Sequence, residues 1–407
     1  MDILEGNPIL QGVRQMLGAF AKSAVRPVAA KHDAEESMPW ELMKQAQMLG
    51  MSQTSLVETP DAMKAMDGGG AGKDGKPRPS LKSQVACVGA EELAWGCAGI
   101  TLALGGSGLA AAPVARMGTP EQKKLFTDCL KGTDDKGRVK VAAMALSEPS
   151  TGSDISSLAT TARKDGDHYI ITGMKQWITN GQSASVYVVW AQTDPALGRA
   201  GVRGFVVPRG TPGLVPGRKE VKLGIRASET AQVHFEECRV PREWLLGGDE
   251  GAKEGLAGTK KMLDATRPIV AVQAVGIARA AFEYLLERVQ GGTYAGTPLA
   301  GHQHIGFALA EMEMEIQASR LLAWRSAWMA DQKMENVKWA SIAKAHGART
   351  AMDVTTRVLQ LLGEEAMQPG HPVEKWYRDA KIYDIFEGTG QIQRRIIAKE
   401  LTGVNPV

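Results

Sequence analysis

Cysteine is scarce in this chain of 407 residues, and its four cysteines are widely separated: Cys87, Cys97, Cys129 and Cys238. No two of them form a CxxC pair, and no histidine stands beside them at the spacing that metal ligands require. The sequence therefore predicts no metal site and no disulfide framework. Reduced thiols in a cytoplasmic protein fit this pattern best.

Long hydrophobic runs and an excess of one charge are missing as well. The chain has no stretch of about 18 apolar residues and no signal-peptide pattern at its start. Lys and Arg total 48 against 45 Asp and Glu, mixed along the chain. We therefore expect no membrane span and no nucleic-acid partner. Residues 7–30 resemble an amphipathic transit peptide, but acidic residues follow at once and favour the first helix of a fold.

The chain is long enough for two or three domains, and its hydrophobic period changes twice. Apolar residues recur at helical spacing up to about residue 130, and short β-branched segments occupy about 139–246. The helical period returns after Gly247. We predict an α+β multidomain protein with a helical domain at 1–138, a β-barrel or sandwich domain at 139–246 and a helical bundle, of four helices, at 247–407.

Local patterns add detail to this division. Pro39 suits a first helical position and Gly50 a helix end. The Gly-rich and Pro-rich segment 67–80 predicts an exposed loop. Asp165-Gly166 between two strand-like runs predicts a type I′ hairpin turn. One face of a late helix is predicted by residues that step by four, three and four: Ile305, Leu309, Met312 and Ile316.

Three weaker signals point to other protein classes. Residues 106–111 match GxGxxA, but no βαβ alternation surrounds them, and packing between helices explains the small residues better. His302 and His304 lack a third metal ligand. Ser107 does not form the GxSxG nucleophile elbow. These segments therefore do not support a nicotinamide enzyme, a metal enzyme or a hydrolase.

Three segments are distinctive in combination: AMALSEPSTGSD at 143–154, KQWITNG at 175–181 and RDAKIYDIFEGTGQIQRRIIAKEL at 378–401. In this order they resemble the acyl-CoA dehydrogenase family, and shorter matching runs between them extend the resemblance over nearly the whole chain. That family has a helical domain, a β domain and a helical bundle, which agrees with the change of period.

The resemblance implies that Glu387 is the catalytic base that removes the α-proton of an acyl-CoA thioester. A solvated carboxylate, with a pKa of about 4.3, is a poor base for so weak an acid, so burial has to raise its pKa. In the family, the backbone N–H of this Glu and a flavin ribityl hydroxyl bind the thioester oxygen. Gly388 would permit the close approach of the substrate. Some members carry the base at the position of Thr266, where a threonine cannot act as one.

The resemblance also implies an FAD cofactor. The residues it assigns to FAD are Met144, Leu146, Ser147, Gly152, Ser153, Trp177, Ile178, Thr179, Arg288, Gln303, Gln360, Leu361, Gly363, Thr389 and Gln391. It assigns to the substrate Ser153, Asp264, Arg267 and Gly388. From the residues alone, Trp177 could instead be plain packing, and Asp264 with Arg267 a surface ion pair.

Two segments depart from the family pattern. The Arg-x-x-Phe-Gly run that reaches the FAD of a neighbouring subunit is replaced by ERVQGGTYAGTPLAGHQ at 287–303, which leaves Arg288 and Gln303 as its equivalents. Glu364 replaces a glycine and adds a negative charge near the expected pyrophosphate. These departures leave open a heteromeric arrangement or a subunit without activity.

The activity implied is oxidation of an acyl-CoA to the trans-2-enoyl-CoA in fatty acid β-oxidation, with FAD as the hydride acceptor and an electron-transferring flavoprotein as the partner. A homotetramer is expected. An acyl-CoA oxidase, which uses oxygen, is the nearest alternative. The acyl chain length cannot be inferred from the sequence.

Overall fold

The computed structural model describes residues 7–50, 80–248 and 255–406, with side chains in the last range described from residue 266 onward. Residues 67–79 of the predicted loop at 67–80, and the side chain of Asp264, lie outside the described residues.

The N-terminal part is helical, as predicted. Its helices are α1 (Pro8–Phe20), α2 (Arg26–Ala34), α3 (Trp40–Met48), α4 (Lys82–Gly105), α5 (Gly108–Met117) and α6 (Pro120–Leu130), with a π-helical turn at Ala21–Val25 between α1 and α2. Thr119 begins α6 with a capping box, in which Thr119 and Gln122 bond each other's backbone N–H. Pro39 is the N-cap of α3 rather than its first helical residue. The GxGxxA segment opens α5, so the interpretation as helix packing is confirmed.

The central part is one seven-stranded sheet. Its strands are β1 (Ala142–Ala145), β2 (Thr161–Asp165), β3 (His168–Thr179), β4 (Val186–Gln192), β5 (Val202–Pro208), β6 (Leu214–Lys219) and β7 (Thr230–Pro241). The order is β1-β4-β2-β3-β7-β6, and β5 pairs with β4. Every residue of β4 is buried, which agrees with its position inside the sheet.

The hairpin between β2 and β3 is confirmed, but its turn is shifted by one residue. Asp165 pairs with His168, so the two central residues are Gly166 and Asp167. Gly166 has a φ of 58°, whereas Asp167 does not have a positive φ. This is the type II′ pattern rather than the predicted type I′, because only the first central residue is left-handed.

The C-terminal part is helical again, as predicted. Its helices are α7 (Gly255–Gly291), α8 (Gln303–Asp331), α9 (Val337–Leu362), α10 (Pro372–Ala380) and α11 (Gly390–Thr402), with a small hairpin of Thr293–Tyr294 and Thr297–Pro298 between α7 and α8. The predicted face of α8 is confirmed, since Met312 and Ile316 are buried and Ile305 and Leu309 pack against the same core. Helix α4 also packs along α7.

Two helices, Lys82–Gly105 and Thr266–Gly291, are long and apolar enough to cross a membrane by length and composition alone. Most of each lies buried inside the protein, which is the position of a core helix. All four cysteines are free thiols.

Helix α10 joins the three parts of the chain next to the last motif. Arg378 donates to Asp33 of α2 at 2.6 Å and to the carbonyl of Leu223, which follows β6. Asp379 accepts the backbone N–H of Ile225 at 2.5 Å and pairs with buried Lys375. These bonds fix the start of the segment that leads to Glu387.

Candidate active site

Glu387 lies in a short loop between a 3-10 turn (Lys381–Asp384) and α11. Its φ is 54°, and the φ of Gly388 is 91°. A positive φ is favourable for Gly388 but strained for Glu387, and such strain persists only where surrounding contacts enforce it. The backbone at this position is therefore held by its neighbours rather than by local preference.

The carboxylate of Glu387 contacts α7 at Thr266, the first residue of that helix whose side chain is described. Thr266 Oγ1 donates to Glu387 Oε2 at 2.9 Å. The side chain keeps partial access to solvent, but burial of its carboxylate raises the pKa of Glu387. The hydrogen bond from Thr266 and the charges of Lys344 and Arg267 act in the opposite direction. A buried carboxylate with a raised pKa is a stronger base than a solvated one.

Two buried side chains bind the backbone of this loop. Lys344 Nζ donates to the Gly388 carbonyl at 2.6 Å. Gln393 Nε2 donates to the same carbonyl at 2.9 Å and to the Glu387 carbonyl at 3.3 Å. Neither residue was identified from the sequence, because a lysine and a glutamine within helices carry no local signal of such contacts.

Some of the residues predicted to bind the substrate lie around the same loop, and others do not. Arg267 is buried one residue after Thr266, and its Nη1 lies 3.4 Å from Ser341 Oγ on α9. A buried position argues against the alternative of a surface ion pair. Ser153 is exposed in the segment after β1, and no described hydrogen bond joins it to Glu387.

The first two motifs meet at the end of β1, as their assignment to one cofactor requires. The Gln176 N–H donates to the Ser147 carbonyl at 2.9 Å. Lys175 Nζ donates to the Leu146 carbonyl at 3.0 Å and to Glu148 Oε1 at 2.7 Å. Met144, in β1, and Leu146 are partly buried beside them, whereas Gly152 is exposed.

Trp177 stands out from the sheet at this place. Its φ is 63°, and β3 shifts register against β7 between Lys175 and Ile178. The bulge leaves 55% of the Trp177 side chain exposed, while Ile178 is buried. An exposed aromatic ring on a strained backbone argues against plain packing, and it fits a flat aromatic cofactor such as a flavin. Ser147 and Thr179, the predicted polar contacts of the same two motifs, are both half-buried.

A second set of predicted cofactor residues lies elsewhere. Arg288, at the end of α7, pairs with Glu365 at 2.7 Å. This places it beside the end of α9 and the turn after it, which contain Gln360, Leu361 and Gly363. Glu365, next to Glu364, is thus the acid that pairs with Arg288, and Glu364 is exposed without a described ion pair.

Arg288 follows Arg267 by 21 residues on one helix, or roughly 30 Å at 1.5 Å per residue. The Arg288 group and the Glu387 loop therefore do not meet within one chain. Of the remaining predicted cofactor residues, Gln303 begins α8, Thr389 caps α11 through the Ile392 N–H at 3.2 Å, and Gln391 is exposed on α11.

Comparison with known proteins gives one consistent family. The N-terminal, middle and C-terminal domains described as acyl-CoA dehydrogenase match residues 9–130, 143–238 and 253–402. The mitochondrial short-chain specific acyl-CoA dehydrogenase of Bos taurus is 38% identical over 393 residues, which cover 96% of this chain and 89% of that protein.

Solved structures agree in fold over almost the whole chain. Butyryl-CoA dehydrogenase from Megasphaera elsdenii has a TM-score of 0.83 at 32% identity and covers 97% of this chain and 98% of its own. A glutaryl-CoA dehydrogenase from Mycobacterium smegmatis in complex with FADH2 has a TM-score of 0.83 at 25% identity, with 98% and 96% covered.

Proposed function

The chain belongs to the acyl-CoA dehydrogenase family, whose enzymes depend on FAD, and we propose that it oxidises short-chain acyl-CoA thioesters with Glu387 as the base. The observation that supports this most is the Glu387 carboxylate, which is buried, held in a strained loop and bonded by Thr266.

The chemistry of the proposed step follows from this environment. Glu387 takes the proton from the carbon next to the thioester carbonyl, and the hydride leaves from the next carbon, so that a trans double bond forms between them. Bound FAD supplies the hydride acceptor. Because burial disfavours the charged form of Glu387, the carboxylate gains stability on taking up the proton, which favours the transfer.

The thioester oxygen needs a hydrogen-bond donor as negative charge develops on it. Among the residues that the structure describes, no acceptor takes the backbone N–H of Glu387. A backbone donor at the catalytic residue itself is well placed for this task, since donors fixed in advance require no rearrangement during the reaction. We assign this N–H to the thioester oxygen.

The choice of a short acyl chain rests on the relatives. The bovine relative is short-chain specific, and the Megasphaera elsdenii enzyme is a butyryl-CoA dehydrogenase. A place in fatty acid β-oxidation and electron transfer to an electron-transferring flavoprotein belong to the same proposal, supported by the family resemblance.

An anaerobic titration of the purified protein tests the reaction. After the flavin content is measured, butyryl-CoA and longer, branched and aromatic acyl-CoAs are added, and the flavin absorbance band is followed. We expect butyryl-CoA to bleach the band. Adding an electron-transferring flavoprotein in one sample and air in another then separates a dehydrogenase from an oxidase, which would form peroxide.

Glu387→Gln removes the base while keeping the shape of the side chain. We expect it to retain flavin and to slow bleaching by roughly 10² to 10⁴-fold, the usual contribution of a general base. Glu400→Gln, at an exposed position of α11, is the control and should bleach like the wild type. Near wild-type bleaching by the Glu387 variant would contradict the assignment. A colourless protein would favour a heteromeric or non-catalytic subunit.

Self-association completes the proposal. Four large apolar side chains follow one another at intervals of seven on the outer face of α8, each 47–64% exposed: Phe307, Met314, Leu321 and Trp328. Seven residues are almost two helical turns, so the four form one stripe, and exposed apolar stripes of this kind mark helix contacts. A second copy of the chain could also bring an Arg288 group to the flavin surface.

We therefore propose a homotetramer in which this stripe is one of the contacts. Light scattering should give four chain masses for the wild type and a smaller assembly for the Met314→Glu, Leu321→Glu double variant. A double variant that remains a tetramer would exclude the stripe as a contact.

A further inference from the structure

Lys344 is an unusual residue for the interior of a helical domain. It lies on α9 and is fully buried. Ser341 and Gly347, three residues before and after it, face α7: Ser341 Oγ contacts Arg267, and a side chain at Gly347 would begin 2.9 Å from the Ala271 carbonyl oxygen. The close approach of α9 to α7 at Gly347 therefore encloses the lysine.

The ammonium group has one hydrogen-bond partner in the part of the chain that the structure describes, the Gly388 carbonyl. No described ion pair joins it to a carboxylate, although buried lysines are normally paired. Burial lowers the pKa of Lys344 to about 8, against the opposing charges of Asp384 and Glu387. The group is thus still largely protonated at neutral pH, with its charge facing the Glu387 loop.

The position of this charge suggests a role. Lys344 and Gln393 bind the same carbonyl, directly after the residue with strained φ, but only Lys344 carries a charge. Two neutral donors would suffice to hold the loop. A buried cation would bring an additional effect, because it stabilises the ionised form of a nearby carboxylate.

We propose that Lys344 is a positioning residue for the catalytic base: it fixes the loop through the Gly388 carbonyl, and its charge favours the ionised form of the buried Glu387 carboxylate. The inference rests on the proposed function, since it concerns the same base. In this role Lys344 acts through Glu387 and does not itself contact the reacting atoms.

Other groups around the base also carry charge. The experiment has to separate the effect of Lys344 from theirs. Arg267 reaches the loop from α7, and Asp384 precedes it in the 3-10 turn. Arg394 on α11 lies next to Asp384 at Gly390. Thr266 adds a neutral hydrogen bond. None of these groups is altered by a substitution at Lys344 or Gln393, so both variants keep this background.

The test compares Lys344→Met with Gln393→Met, which removes the neutral donor to the same carbonyl. The pH dependence of kcat/KM with butyryl-CoA reports the pKa of Glu387 in the free enzyme through its acidic limb. Without the nearby cation the pKa of Glu387 rises, so the limb of Lys344→Met should move to higher pH by about one unit. Gln393→Met should lower kcat and leave the limb in place. Lys344→Arg, which keeps the charge, should return it toward the wild type.

Flavin content and the thermal midpoint are measured for each variant as a readout independent of turnover. If Lys344→Met does not hold flavin, Lys344→Gln, which keeps a donor but no charge, replaces it in the comparison. A limb that stays in place in the uncharged variants, or moves equally in Gln393→Met, would overturn the role of the charge. A wild-type flavin that no acyl-CoA bleaches would instead contradict the proposed function itself.

Discussion

Lys175 in the sheet and Lys344 in the C-terminal helices are both fully buried, and burial lowers the pKa of each to about 8. Their partners differ. Lys175 forms an ion pair with Glu148 at 2.7 Å, and Glu148 also accepts the backbone N–H groups of Ala159 and Thr160. Lys344 has one described hydrogen-bond partner, a backbone carbonyl, and faces the Glu387 loop.

The comparison separates two uses of a buried charge. At Lys175 the charge is balanced inside the protein, and the pair joins the two segments that are predicted to bind the flavin. At Lys344 the charge is not balanced by a described ion pair, so it remains available to the carboxylate of Glu387. A buried ion pair mainly fixes a structure, whereas a buried charge without one changes the protonation of its neighbours.

The largest effect should come from breaking the pair in the sheet. Lys175→Met leaves the Glu148 carboxylate buried without its cation, which typically costs about 3 to 5 kcal/mol of unfolding free energy. Lys344→Met removes one of the two donors to the Gly388 carbonyl and leaves no ion-pair partner behind, so we expect a cost of only about 1 to 3 kcal/mol. Urea unfolding of the two variants measures the difference, and Lys175→Met should also lose flavin.

The control for this prediction is the double variant Lys175→Met, Glu148→Gln. It removes both charges together, so much of the lost stability should return. Equal losses of unfolding free energy in Lys175→Met and Lys344→Met would contradict the distinction between the two lysines.

An effect on the pKa rather than on stability, and smaller than the loss at Lys175, is expected at Thr266, the neutral neighbour of the proposed base. Its hydroxyl donates to Glu387 and thereby lowers the pKa of that carboxyl. Thr266→Val removes the bond at nearly constant volume, so the pKa should rise and the acidic limb of kcat/KM should move to higher pH. The hydrogen bond lowers this pKa more than the charge of Lys344 does, so the limb of Thr266→Val should move by at least as much as that of Lys344→Met, about one pH unit.

Thr266→Ser keeps the hydroxyl and is the matched control, with an expected limb at the wild-type position. A shift in Thr266→Val smaller than that in Lys344→Met would mean that the buried charge, rather than the hydrogen bond, has the larger effect on the protonation of Glu387.

Much of the architecture could be predicted from the sequence, because hydrophobic periods are local. The change from helices to strands and back, the face of α8 and the packed helix at α5 followed from residue spacing alone. The turn after β2 was placed one residue early, since its register depends on which residues of β2 and β3 pair. The individual site residues remain predictions, although the structure places Ser147 beside Gln176 and Thr266 beside Glu387.

The sequence by itself determined the order of the three parts and pointed to Glu387, since both depend on short continuous segments. Only the tertiary structure decided what surrounds that residue. Lys344 and Gln393 lie 43 residues before it and 6 residues after it, on helices whose pattern carries no trace of the contact. The pKa of Glu387 depends on burial and on charges brought close by packing, and these charges come from two different helices, α7 and α9.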